Sequence, residues 1–178
     1  MKFTERNLRN VLGMFPTGVT VVTARDAEEK LQGVTVSSFN AVSLDPPLVL
    51  FSLSRSLYSL RAFLGASAFA INFLRVDQED LSARFNRALS NKWDQLNYKT
   101  GITGAPVLLP ALAVLECSCY AKYDGGDHII IVGKVEHLEF QECGSPLVYF
   151  RGRYHELSPL FDNPEFAGLP SDPGVWTL

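Results

Sequence analysis

The chain has 178 residues, 47% of them hydrophobic, and a formal net charge of −3. That length and composition suit one globular domain with a full core, and charge spread without long runs argues against a nucleic-acid surface. No apolar run is long enough for a bilayer, the polar start MKFTERNLRN lacks a secretion signal's apolar stretch, and three cysteines form no disulfide framework, so the expectation is a soluble cytoplasmic protein with no membrane partner.

Taken in chain order, Thr4 caps a first helix with Leu8, Val11 and Leu12 on one face, ending near Gly13. A strand at 19–23 is closed by a charged turn at 26–30 and followed by a return strand at 31–39. Pro46 and Pro47 set a rigid entry into an apolar strand at 48–53. Ser56 is placed as the cap of a short helix carrying Leu57, Leu60, Phe63 and Leu64 and stopping at Gly65. A buried strand spans 69–74, and a second helix spans 77–85 with Asp80 at the capping-box position. Residues 86–110, broken by Gly101, Gly104, Pro106 and Pro110, read as mostly loop. Strands at 112–123 and 128–140 form a long hairpin across Asp124, Gly125, Gly126 and Asp127. A last core strand covers 146–150, so that one domain spans 1–158 and a tail spans 159–178. Many strands joined by hairpins, with few helices, favour a mainly β, closed antiparallel barrel over a parallel doubly wound sheet. No G-x-G-x-x-G follows any predicted strand.

Three places carry candidate chemistry. The first is GVTVSSFNAVSLDPPLVLFSLSRSLYS, where Thr35, Ser37, Ser38, Ser52, Ser54, Ser56 and Ser59 lie in or just past two β-type runs. Neutral donors at strand ends beside a helix start suit a phosphate and a polyhydroxylated chain, and Arg55 and Arg61 offer charge-assisted bonds; an ordinary Ser-rich turn has the same composition. The second, Gly125–Gly126–Asp127–His128, reads alone as a hairpin turn followed by a strand residue. The third is YFRGRYH, where alternation puts Arg151 and Arg153 on one face and Phe150, Gly152 and Tyr154 on the other; a charged sheet edge has the same pattern. Cys117 and Cys119 share a strand face, but with Cys143 and His137 they match no zinc spacing, so no metal is expected. No acid–base constellation stands out.

The series FPTGVTVVTA, GVTVSSF, VSLDPPLVLFSL, FAINFL, LSARF, GGDH, VGKV and YFRGRYHEL resembles the short-chain flavin reductase family over roughly residues 8–157. Those proteins are the NAD(P)H-dependent reductase components of two-component flavin monooxygenases. The resemblance implies an FMN-binding split β-barrel, antiparallel and of Greek-key type, with a few short flanking helices. It implies that Thr35, Val36, Ser37 and Ser38 line the ribityl chain and one isoalloxazine edge, and that Ser52, Ser54, Ser56 and Ser59 lie where phosphate is held. Arg84 and Phe85 match the family's "ARF" element beside the flavin. Gly126 and His128 fall in the GDH position near flavin and nicotinamide, where glycine permits close approach and a neutral imidazole can donate to the carboxamide or stack on it. Phe150, Arg151, Gly152 and Tyr154 match the element that closes over the nicotinamide.

The function so implied is hydride transfer from NADH or NADPH to FMN or FAD, with reduced flavin diffusing to a separate monooxygenase. No large basic pocket for an adenine dinucleotide is evident, so both flavins stay open. A homodimer with the flavin near its interface is implied as well. Two alternatives remain at this point: a flavin-binding barrel without NAD(P)H turnover, and a related reductase acting on a corrinoid or ferric acceptor.

Overall fold

The computed structural model describes residues 3–88 and 91–158, and the expected tail at 159–178 lies outside the described residues. Helix α1 (Glu5–Leu12) starts where Thr4 Oγ1 accepts the Asn7 N–H at 3.2 Å and Asn7 Oδ1 accepts the Thr4 N–H at 3.1 Å, which satisfies amides that the helix itself leaves free. The strands are β1 (Thr17–Gly18), β2 (Thr20–Arg25), β3 (Leu31–Val36), β4 (Asn40–Leu44), β5 (Pro47–Ser54), β6 (Ala68–Phe73), β7 (Tyr98–Thr100), β8 (Pro106–Leu108), β9 (Ala113–Gly125), β10 (His128–Phe140), β11 (Val148–Phe150) and β12 (Arg153–His155). Helices α2 (Leu60–Gly65) and α3 (Glu79–Phe85) interrupt them.

Seven strands form one sheet in the order β3-β2-β6-β9-β10-β5-β4, and every adjacent pair is antiparallel. Its two flanks meet through one side chain. β4 pairs with β5 only as far as Leu50. At Ser52, the Ser38 hydroxyl donates to the carbonyl at 3.1 Å and accepts the N–H at 2.9 Å, in place of a strand partner. The mainly β, antiparallel barrel expected from the sequence is the architecture found.

Alternation explains the core. Val22, Ala24, Val34, Val36, Phe51, Leu53, Phe69, Ile71 and Ile131 point into the barrel, as period-2 strands require. The other face of β2 is also covered: Val21 packs with Val19, Leu74, Phe85, Leu108 and Leu147. Asn72 links that outer layer to the sheet, its Nδ2 donating to Val21 O and its Oδ1 accepting the Leu108 N–H, both at 2.9 Å. Among the described residues no helix is long and apolar enough to cross a membrane.

Short strands β1, β7 and β8 form where no strand was expected, the last two inside the stretch read as mostly loop, and four further elements depart from the sequence expectation. Strand β4 was not expected, because its residues are exposed or half-buried and carry no apolar run. The helix expected from Ser56 begins at Leu60, since Ser54 takes the Ser56 N–H on its hydroxyl (3.2 Å) and the Leu57 N–H on its carbonyl (3.0 Å), making a turn first. A 3-10 turn over Val76–Gln78 precedes α3, and Gln78 Oε1 rather than Asp80 accepts the N–H of Arg75, at 2.8 Å. The run expected to continue straight through 150–154 folds back as a hairpin. Its turn residues Arg151 and Gly152 have φ of 50° and 78°, the positive values a two-residue hairpin turn needs. Phe150 therefore lies opposite Arg153, and Tyr154 opposite Tyr149, so Phe150 and Tyr154 do not share a face.

Candidate functional site

The Ser-rich turn after β5 and the Gly-rich turn between β9 and β10 form one surface at the barrel rim. His128, the first residue of β10, lies opposite Ser54, the last of β5. Arg55 fastens the two turns: its N–H donates to Asp127 O at 2.9 Å, its Nε to Gly126 O at 2.8 Å, and its guanidinium reaches Asp124 Oδ2 at 2.6 Å. Gly126 has φ of 79°, and a Cβ there would meet no protein atom within 4 Å. Within the protein, its glycine is thus explained by backbone conformation rather than by crowding.

The candidate hydroxyls divide into two groups. Thr35 Oγ1 donates to Ser82 O at 2.7 Å, Ser38 bridges to the Ser52 backbone, and Ser54 Oγ lies 2.8 Å from Ser56 Oγ. The side chains of Ser37, Ser52 and Ser59, and the amides of Tyr58 and Ser59, find no partner among the described residues. Ser59 occupies the N-cap position of α2 without making a cap bond. That set, neutral hydroxyls plus free amides with Arg61 nearby in α2, has the chemistry to hold a polyol and its phosphate. Val36 is buried in the barrel core and offers only its backbone.

Arg84 and Phe85 face inward. Phe85 is 1% exposed, its ring filling the space a Cβ on Gly33 would need and meeting Trp93 edge-on at 5.3 Å. Arg84 donates to Asn91 O (2.9 Å) and Asp94 O (2.6 Å). Sequence reasoning missed Lys92, whose ammonium reaches Gly33 O at 3.3 Å and Phe85 O at 3.2 Å; desolvation pushes its pKa down. Arg84 and Lys92 together fasten residues 91–94 to the end of α3 and the edge of β3.

Sequence reasoning also missed Ser82. It is fully buried, its hydroxyl 2.8 Å from the Tyr154 hydroxyl. The available signal was its place three residues before Phe85, on the same helix face.

His128 is half-exposed, and its Nδ1 lies 2.7 Å from Asp127 Oδ1. The hydrogen bond from His128 holds the Asp127 carboxyl below its usual range, with weaker attraction from Arg9 of α1. An ionised Asp127 accepts the Nδ1–H hydrogen bond and leaves Nε2 free for a ligand. The β11–β12 turn is anchored elsewhere: Arg151 N–H donates to Gly13 O at 3.0 Å, and its guanidinium stacks over Phe150 at 5.3 Å. The structure thus brings Ser54, Ser56, Gly126 and His128 together, and joins Thr35 to Tyr154 through Ser82. Phe150, Arg151 and Gly152 sit beside the end of α1. A surface cavity of about 610 Å³ lined by Tyr98, Leu109, Ala113 and Phe140 shares no residue with this rim.

Comparison with known proteins shows the family. The family described as "Flavin reductase like domain" matches residues 12–158. The FMN reductase (NADH) SmoA of Agrobacterium fabrum is 46% identical over 154 residues, covering 86% of this chain and 87% of that protein. The flavin-dependent monooxygenase reductase subunit HsaB of Mycobacterium tuberculosis is 35% identical over 156 residues, covering 86% of this chain and 83% of that one. Some matched proteins are longer, and of one this chain spans 49%. The NADH:FAD oxidoreductase SgcE6 of Streptomyces globisporus, solved with NAD and FAD fragments, superposes with a TM-score of 0.83 at 34% identity, over 89% of this chain and 96% of that one. By its sequence match and by its barrel, the chain belongs to the flavin reductase family.

Proposed function

We propose that this protein is an NAD(P)H-dependent flavin reductase that supplies reduced FMN or FAD to a separate oxygenase component. The observation that carries this reading is the rim itself, where unpartnered hydroxyls and amides adjoin a half-exposed His128. Similar proteins are named for both flavins, an FMN reductase (NADH) and an NADH:FAD oxidoreductase, and one is a monooxygenase reductase subunit.

When bound, the flavin supplies the hydride acceptor. The protein's part is binding and orientation. Ser37 and Ser52 hydroxyls bond the ribityl chain, beside the Val36 backbone. Ser59, with its own amide and that of Tyr58, bonds the phosphate. Thr35, Ser38, Ser54 and Ser56 hold the rim in shape through the bonds they make to each other and to the backbone. Arg84 and Phe85 support it from within. His128 Nε2, left free because Asp127 occupies Nδ1, bonds the nicotinamide carboxamide. Phe150, Arg151 and Gly152 cover the nicotinamide, Tyr154 anchors their hairpin from its other face through Ser82, and Gly126 gives the turn before His128 its conformation.

A homodimer belongs to this reading. Helix α1 is amphipathic yet buries none of its residues, and Val11, Leu12 and Phe15 are 68%, 63% and 74% exposed. An apolar face of that kind is a contact surface, and a second copy is its occupant. Three free cysteines support a reducing, cytoplasmic setting.

Oxidation of NADH and of NADPH, measured with and without FMN, FAD and a ferric acceptor, tests the function. Oxidation that depends on flavin supports it. Tight flavin binding without nucleotide oxidation leaves a flavin-binding barrel instead, and oxidation only with the ferric acceptor leaves a different reductase.

A further inference from the structure

Ser82 has two partners that belong to different halves of the site. Its carbonyl accepts the Thr35 hydroxyl at 2.7 Å as well as the Asn86 N–H at 3.1 Å, while its own hydroxyl lies 2.8 Å from the Tyr154 hydroxyl. Thr35 is on the strand assigned above to the flavin, and Tyr154 is on the hairpin assigned to the nicotinamide. Ser82 has no exposed surface, its partners Thr35 and Tyr154 are half-buried, and its helix is packed through Phe85 against β2 and β3. Strand β11 of that hairpin is held by β1 and by the buried Val148, whereas its outer strand β12 has fewer fastenings. β12 is three residues long and pairs only with β11. Beyond Tyr154's packing, its turn is fastened by Arg151, whose N–H donates to the Gly13 carbonyl at 3.0 Å and whose Nε donates to Met14 Sδ at 3.1 Å.

We propose that Ser82 is a positioning residue that sets the spacing between the flavin-binding strand and the nicotinamide-side hairpin. The proposal rests on the flavin reductase reading. Ser82 touches neither ligand. It joins one element of each to the same rigid turn of helix, and hydride transfer is steep in the separation of donor and acceptor. The two arms are chemically separable, because Ser82→Ala removes the bond to Tyr154 and leaves the carbonyl that holds Thr35.

The test uses Ser82→Ala, Tyr154→Phe and the double variant, each loaded with flavin. NAD⁺ affinity, flavin affinity by fluorescence titration, and the melting temperature are measured beside turnover. The expected result is an NAD⁺ dissociation constant raised about fivefold in each single variant, the loss of one neutral hydrogen bond. The double variant should be no worse than either single one, flavin affinity should be unchanged, and KM for the nucleotide should rise with the dissociation constant. Lowered melting temperatures with unchanged NAD⁺ affinity would show a purely structural bond and overturn the proposal. Additive losses in the double variant would overturn it too, since the two groups would then act separately. Should Ser82→Ala fail to fold, Tyr154→Phe carries the test alone, because it leaves the ring packing in place. Wild-type protein that oxidises no nucleotide would remove the reductase reading itself, whereas normal wild-type turnover with unaffected variants removes only the role of Ser82.

Discussion

Hydroxyl groups alike in sequence do different work at this rim. Ser38 closes the barrel, Ser54 shapes a turn, and Ser59 is left without an intramolecular partner. If Ser59 faces the flavin phosphate, Ser59→Asp should weaken flavin binding far more than Ser59→Ala: aspartate sets charge against charge, while alanine deletes one bond of about 0.5–1.5 kcal/mol. Equal losses in a flavin titration would place the phosphate elsewhere. His128→Ala separates orientation from support. It should slow reduction of bound flavin by NAD(P)H in stopped-flow measurements and leave oxidised-flavin affinity nearly unchanged. Wild-type reduction rates in a variant that melts lower would return His128 to a structural role. Which hydroxyls stay free was not legible in the sequence, because Ser38 and Thr35 bond partners 14 and 47 residues away that only the fold brings near.

Strands were the legible elements, because alternation survives wherever one face is buried. β2, β5, β6, β9 and β10 all fall where Val, Ile, Leu and Phe alternate or cluster. Boundaries set by a single side-chain bond were not: the helix after Ser56 and the entry to α3 both moved when Ser54 and Gln78 took amides that the pattern had assigned otherwise. At this scale β9 carries a pH prediction. Burial, reinforced by the carboxylates of Glu136 and Glu116, pushes the Cys117 thiol up to about 12 from an ordinary value of 9.0. Its folded value lies above its unfolded one, so the stabilisation is complete below pH 9.0 and is lost as pH rises towards about 12. Thermal melts of wild type should fall through that window more steeply than those of Cys117→Val. Parallel curves would mean that the thiol is not shielded from water.

At the scale of the whole molecule, the sheet closes on itself through Ser38 and leaves α1 outside with its apolar face uncovered. Leu12→Glu should therefore shift the protein from dimer to monomer in light scattering and leave the melting temperature of the single chain little changed, because Leu12 is 63% exposed. A wild-type protein that is monomeric at all concentrations would remove the dimer. Arg9 of the same helix faces Asp127, and Gly13 at its end holds Arg151, so loss of the dimer is expected to reach the His128 side of the rim.

By itself the sequence determined the class of fold, the family and the segments proposed to carry the site, because alternation, turn residues and motif order are properties of neighbours along the chain. Tertiary structure decided which members of those segments are free. It turned Phe85 into core, gave Thr35 and Ser38 to the framework, folded 148–155 into a hairpin, and raised Ser82 and Lys92 to places no local pattern marks. The reason is physical: a donor's availability depends on what else lies within about 3 Å of it, and that is set by contacts between residues far apart in sequence.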